Sequence, residues 1–166
     1  MIELLQTVEP ALIKRLVELE IDAFGSSGMN EWHLVPFIRH GRVYIIRKNQ
    51  KIVGQIQYML DWDLPHRAYM ISVSVDKEWR SHGIGTELLK ESFSKLYQEK
   101  IQEIELTVDP KNVVAVAIYE KKLGFEIQEL RENEYGEGEN RLIMRLVLAN
   151  LNDKSHLNDK TLDNTI

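Results

Sequence analysis

Between Val73 and Leu89 the chain changes its hydrophobic period at a pair of glycines, and that change restricts the fold more than any other feature. Apolar residues alternate as far as Val75, the pattern of a strand. From Ile84 they recur every three or four residues, the pattern of a helix. Gly83 and Gly85 sit at the junction. A strand that runs through a turn into a long helix returns across the sheet to a parallel neighbour, here the apolar segment Ile104–Val108. The junction also aims the free N–H groups of the helix's first turn, and the positive end of its dipole, at one point. Such a point is an anion site, most simply for phosphate. The two glycines remove side chains where a ligand must approach the backbone. An ordinary strand–turn–helix junction is the plain alternative.

The rest of the chain supplies short elements on either side. Ile2 to Thr7 reads as a first strand, and Pro10 opens a helix whose buried stripe includes Leu12, Ile13, Leu16, Val17, Ile21 and Phe24. Gly25-Ser26-Ser27-Gly28 ends it. Asn30 caps a second helix, which Pro36 should bend or interrupt. Strands follow at 43–47, 52–60 and 68–75. In the last, strict alternation sets Tyr69, Ile71, Val73 and Val75 on one face and Met70, Ser72 and Ser74 on the other. After the glycine junction come the helix to about Lys100, the strand 104–108, and a helix from Asn112 to about Leu123 with Gly124 as its cap. Strands 125–130 and 141–148 close the pattern. The order is β-α-α-β-β-β-α-β-α-β-β, one α/β domain over residues 1–148 with a mixed sheet. Residues 149–166 are rich in Asn, Asp and Lys and read as a polar appendage, with a second copy of the chain as one potential partner for it.

Composition excludes several classes. With 166 residues the chain is one domain's worth. Against 21 Lys and Arg stand 26 Asp and Glu, a formal net charge of −5, so no nucleic-acid partner is expected. Cysteine is absent, which removes disulfides, thiolate metal sites and a thiol nucleophile, and permits a cytoplasmic protein. The longest apolar run is Val113 to Tyr119, too short for a membrane span, and Met1 to Gln6 do not read as a secretory leader. His33 and His40 lack a third ligand at a useful spacing, so no metal is expected. Gly25-Ser26-Ser27-Gly28 is not a hydrolase elbow.

The phosphate ligand is narrowed by what the loop lacks. A dinucleotide fingerprint needs glycine where Leu88 stands, and a P-loop needs Gly-Lys-Ser/Thr where Gly85-Thr86-Glu87 stands. What remains is Arg80-Ser81-His82-Gly83-Ile84-Gly85. This loop resembles the pyrophosphate-binding loop of the GNAT superfamily of N-acetyltransferases. Downstream, Asn112, Ala115, Tyr119, Gly124 and Phe125 match that superfamily's next segment in order and spacing. Tyr119, Leu123, Phe125 and the segment Asn133 to Met144 are similar to the ribosomal-protein and N-terminal amine acetyltransferases within it. The sequence departs from that subgroup at Glu134, where a paired tyrosine is usual, and at Thr107, where a catalytic glutamate is frequent.

The resemblance implies a GNAT-like fold with its fourth and fifth strands splayed, acetyl-CoA as co-substrate, and direct attack of a primary amine on the thioester. It implies coenzyme contacts from Val73, Val75, Arg80, Ser81, His82, Gly83, Ile84, Gly85, Thr86, Asn112 and Tyr119. The backbone N–H near Val75 would face the thioester carbonyl as the oxyanion donor. Tyr119 would protonate the departing sulfur. Glu105, one strand step from Thr107, is the candidate base, with an ion-paired surface glutamate as its alternative. Phe24, Met29 and Trp32 are candidate walls for the acceptor, a peptide or a small amine. At pH 7 roughly a tenth of an α-amine is neutral, against a few parts in ten thousand of a lysine, so an α-amine suits a site without a strong base. A non-catalytic acyl-CoA-binding sensor on the same fold is the other reading.

Overall fold

The computed structural model describes residues 1–149. Its strands are β1 (Ile2–Leu4), β2 (Arg42–Lys48), β3 (Lys51–Leu60), β4 (Arg67–Val75), β5 (Glu103–Val108), β6 (Glu126–Arg131) and β7 (Arg141–Val147). Its helices are α1 (Pro10–Phe24), α2 (Glu31–His40), α3 (Ile84–Gln98) and α4 (Val113–Ala117). This is the expected order of elements. The appendage expected from residue 149 lies, after Ala149, outside the described residues.

One seven-stranded sheet runs β1-β2-β3-β4-β5-β7-β6. Its single parallel pair is β4 with β5, the pair made by the α3 crossover; the other pairs are antiparallel. Two apolar layers cover the faces. One holds Leu16 and Leu19 of α1, Leu34 and Ile38 of α2, and Val43 and Ile45 of β2. The other holds Leu88, Leu89, Phe93 and Leu96 of α3 against Ile56, Tyr58, Met70, Ile104 and Met144. Gly54 lets α3 lie close to the sheet, since a Cβ there would come within 3.1 Å of Ile46 and 3.4 Å of Ile84.

Local chemistry explains most of the boundaries. Pro10 stands in the first turn of α1. The Asn30 side chain accepts the Trp32 N–H at 3.1 Å, and the His33 ring accepts the Asn30 N–H, so α2 begins in a capping box. Pro36 does not interrupt α2. The carbonyl it leaves without an intrahelical donor belongs to Trp32, which is 82% exposed, so water can serve it. Beyond α4 the helix widens into a π turn over Ile118–Lys122 before Gly124, at φ +79°, ends it.

Two features of β4 open the sheet and set which residues face each layer. First, it pairs with β5 only over Arg67–Tyr69, and its remaining six residues have no β5 partner. The strands therefore part beyond Tyr69, as the resemblance implied. Second, β4 carries a bulge. Gln57 lies opposite Ser72 and Tyr58 opposite Met70, leaving Ile71 as the extra residue. The expected strict alternation fails for this reason. Met70, Val73 and Val75 share the α3 face, whereas Ser72 and Ser74 share the α1 face, where both bond to Glu20. Tyr69 lies with the serines.

Candidate active site

The opening between β4 and β5 leads into a cleft of about 790 Å³. Its walls come from the end of α1 (Ala23, Phe24), the parted half of β4 (Val73, Ser74, Val75), the loop and first turns of α3 (Trp79 to Ser81, Gly83 to Thr86, Leu89), and the α4 region (Ala115, Ile118, Tyr119, Lys122).

Backbone polarity along β4 follows from its ladder. The Asp76 N–H bonds to the Val53 carbonyl, so the Val75–Gly54 pair is one that exchanges no hydrogen bonds with β3. The N–H of Val75 therefore points away from β3, into the gap, and by alternation so does that of Val73. On the same side, Arg80 Nε donates to the Val75 carbonyl at 3.0 Å, and its Nη2 donates to the Asp22 carbonyl at 3.0 Å. Arg80 thus ties the end of β4 to α1.

Across the cleft, α3 starts at Ile84 behind Gly83, whose φ of +78° is open to glycine at no steric cost. Glycine as N-cap brings no side chain to satisfy the first amides, which stay available to a ligand. A Cβ on Gly85 would meet only Val75 Cγ2, at 3.6 Å, so nothing in the protein itself demands glycine there. The space beside this backbone is open to a ligand.

Tyr119 lies on the far wall, edge-on to Phe125 with ring centroids 5.6 Å apart. Burial pushes its hydroxyl up to about 12. The group is therefore protonated at neutral pH and able to donate. The neighbouring loop is braced by Asp76, which takes Arg15 and Lys51 as ion partners. Burial works to raise the Asp76 carboxyl, but the Glu78 N–H, Arg15 and Lys51 outweigh it and hold it at about 2.

The structure brings most of the expected residues together: Phe24, Val73, Val75, Arg80, Ser81, Gly83, Ile84, Gly85, Thr86 and Tyr119 all line the cleft. The others are engaged elsewhere. His82 turns its Nδ1 to the Arg80 carbonyl at 2.8 Å. Asn112 accepts the Ala115 N–H and caps α4. Met29 packs against the α1–α2 layer, and Trp32, exposed on α2, is not among the residues that line the cleft. Glu105 is not a free carboxylate, because Arg67 and Arg145 hold it at 3.4 and 3.1 Å. Its neighbour Thr107 instead joins a group of hydroxyls, 2.9 Å from Tyr69 and 3.3 Å from Tyr135.

Sequence reasoning missed Ala23, Ser74, Trp79, Leu89, Ala115, Ile118 and Lys122 as cleft residues. Helical spacing from Tyr119 would have found Ala115 and Lys122, which fall on its side of the helix. Ser74 had no such signal, because alternation sets it on the face opposite Val73 and Val75.

The chain matches the acetyltransferase (GNAT) family over residues 11–125. It is 28% identical over 123 residues to an N-alpha-acetyltransferase of Saccharolobus solfataricus, covering 65% of this chain and 73% of that one. Among solved structures, its fold is similar to the ribosomal-protein-S18-alanine N-acetyltransferase of Escherichia coli. There the TM-score is 0.73 at 20% identity, over 89% of this chain and 94% of that one. It is also similar to an aminoglycoside 6'-N-acetyltransferase complexed with coenzyme A. That match has a TM-score of 0.72 at 15% identity, over 89% of this chain and 97% of that one.

Proposed function

The chain belongs to the acetyltransferase (GNAT) family, and from that premise we propose that it transfers an acetyl group from acetyl-CoA to a primary amine, either a peptide N-terminus or a small amine. One observation carries the reading: strand β4 presents unpaired backbone N–H groups to a cleft flanked by the glycine-lined start of α3 and by Tyr119.

In this reading the amides of Gly83 to Thr86 bind the pyrophosphate at the positive end of α3. Lys122, on the facing wall, adds a cation for phosphate oxygen. The N–H of Val73 faces the same gap two residues further from the pyrophosphate. The N–H of Val75 meets the thioester oxygen as negative charge develops there, and Arg80, bonded to the Val75 carbonyl in the next peptide group, anchors that end of the strand. Tyr119 gives a proton to the leaving sulfur. The coenzyme is held from the α3 side of the sheet, so the amine enters from the α1 side, past Tyr69, Thr107 and Tyr135.

The acceptor class rests on two supports. The N-alpha-acetyltransferase relative has a name that fits a peptide N-terminus. Glu105, tied to two arginines, is poorly placed to strip a proton from lysine. Among the described residues no helix is long and apolar enough to cross a membrane, in keeping with a cytoplasmic enzyme.

The test is acetyl-CoA consumption against a panel of lysine-free peptides with free N-termini, N-blocked peptides carrying lysine, and small primary amines. At pH 7 the free N-termini or small amines should react first. Preferential acetylation of the blocked, lysine-bearing peptides would contradict the acceptor assignment, and consumption with none of the panel would contradict the reading.

A further inference from the structure

On the α1 side of the gap lies a buried carboxylate to which the acetyl transfer described so far gives no part. Glu20, on the core side of α1, is 1% exposed. Its Oε1 accepts hydrogen bonds from Ser72 Oγ at 2.7 Å, Ser74 Oγ at 2.9 Å and Gln55 Nε2 at 3.3 Å. Its Oε2 accepts the Met29 N–H at 3.4 Å.

Among the described residues no cation pairs with it. Arg15 of α1 is committed to Asp76 and Glu18. Arg80 reaches only the Val75 and Asp22 carbonyls. On α1, Lys14, Glu18 and Asp22 are exposed, as are Glu31, His33, Arg39 and His40 on α2. The face of β3 under Glu20 offers only Gln55 and Gln57. A core helix position holding an unpaired glutamate needs a reason, since burying a carboxylate without a cation is costly.

The surroundings supply one. The Gln57 amide is fully buried, stands opposite Ser72 in the sheet, and has no partner for either its oxygen or its nitrogen among the described residues. Proteins satisfy such groups with ordered water. Glu20, Ser72, Ser74, Gln55 and Gln57 therefore form one polar cluster inside an otherwise apolar layer. Ser72, which is partly exposed, opens it toward the side from which the acceptor enters, while Ser74 lines the cleft beside Val75.

We propose that Glu20, acting through Ser72, takes the proton that the acceptor amine loses. This rests on the reading of the cleft as an amine acetylation site. When the amine nitrogen bonds to the thioester carbon, its proton passes to Ser72 Oγ while the Ser72 hydroxyl proton passes to Glu20. The carbon–sulfur bond then breaks with its electron pair on sulfur, which takes a proton from Tyr119. Glu20 returns its proton through Ser72, which is partly exposed, to solvent, and solvent restores the Tyr119 phenol. A carboxylate suffices as acceptor because nitrogen bound to the carbonyl carbon is far more acidic than the free ammonium.

The experiment uses the full chain and whichever panel amine the wild type acetylates fastest, with Glu20→Gln, Glu20→Asp and Ser72→Ala compared from pH 6.5 to 9.5. Glu20→Gln should lower kcat about 10²–10⁴-fold at pH 7, with acetyl-CoA affinity kept, and the deficit should shrink toward pH 9.5 as hydroxide replaces the lost acceptor. Glu20→Asp should recover part of the rate. Ser72→Ala should reproduce the pH-dependent deficit even if Glu20→Gln fails to fold. A loss of equal size at every pH, or full kcat in a folded Glu20→Gln or Ser72→Ala, would overturn the proposal alone. A wild type that acetylates no panel amine would instead overturn the functional reading and this proposal with it.

Discussion

Replacing Gly85 with alanine should move stability and coenzyme affinity in opposite directions. Gly85 lies in the first turn of α3, and the added Cβ would meet only Val75 Cγ2, at the ordinary contact distance of 3.6 Å. No strain arises within the protein, and replacing a helical glycine by alanine stabilises by about 0.5–1 kcal/mol, through the helix and the unfolded chain. For a chain of this length that is a rise in Tm of about 1–4 °C. The same methyl stands where a phosphate oxygen must come within hydrogen-bond distance of the first-turn amides. Losing one hydrogen bond to a charged group removes about 1.5–3 kcal/mol, which is a 10- to 100-fold weaker Kd for acetyl-CoA. Calorimetric titration gives the affinity, and melting with and without coenzyme gives both terms together. At a coenzyme concentration of 100 times its wild-type Kd, the wild type gains about 2.7 kcal/mol. At that concentration the variant should gain only about 0.4–1.4 kcal/mol. A folded Gly85→Ala, or the bulkier Gly85→Val, that binds acetyl-CoA as tightly as the wild type would refute the placement of the coenzyme at this turn.

Tyr119→Phe should lower kcat by about 10- to 100-fold while leaving the acetyl-CoA Kd within a factor of about two; steady-state kinetics beside a binding titration checks this, and an unaltered kcat would pass the proton-donor role to water. Gly54→Ala is the packing counterpart of Gly85→Ala: its Cβ would press on Ile46 at 3.1 Å and Ile84 at 3.4 Å, and a loss of about 1–3 kcal/mol in denaturant unfolding is expected. Asp76, held at about 2 when folded and returning to its usual 3.8 when unfolded, contributes stability that is complete above about pH 4 and disappears as the pH falls toward 2. Unfolding curves of the wild type and Asp76→Asn should therefore differ at pH 7 and converge near pH 2; a gap independent of pH would mean that the loss is one of packing.

What could be read before folding was whatever depends on near neighbours. The glycines at 83 and 85, the cap at Asn30 and the Asn112-to-Phe125 spacing are local, and each appears where its chemistry requires. The opening between β4 and β5 is not local. It depends on where the pairing of Arg67–Tyr69 with Glu103–Glu105 stops, which no single segment encodes. Glu105 shows the same difficulty at the level of one side chain. Its position on β5 was legible, but its two arginine partners lie on β4 and β7. Glu20 was hidden differently, because it falls on the buried stripe of α1 at a position an apolar residue would ordinarily fill. Its polar partners come from β3 and β4, some 35 to 54 residues away in the chain.

The bulge at Ile71 makes the site a matter of parity. One unpaired residue in β4 decides that Val73 and Val75 face α3 while Ser72 and Ser74 face α1. Removing Ile71 would leave Tyr58–Met70, Gln57–Ser72 and Ile56–Val73 as consecutive pairs, so the ladder would become regular with both sets on the faces they now hold. Drawing Ile71 into the ladder at unchanged length would instead exchange them, setting the valines against the Glu20 carboxylate and the serines against Leu88 and Leu89. The strand can therefore lose this residue but cannot pair it, because pairing it would change which atoms meet the coenzyme and which meet the amine.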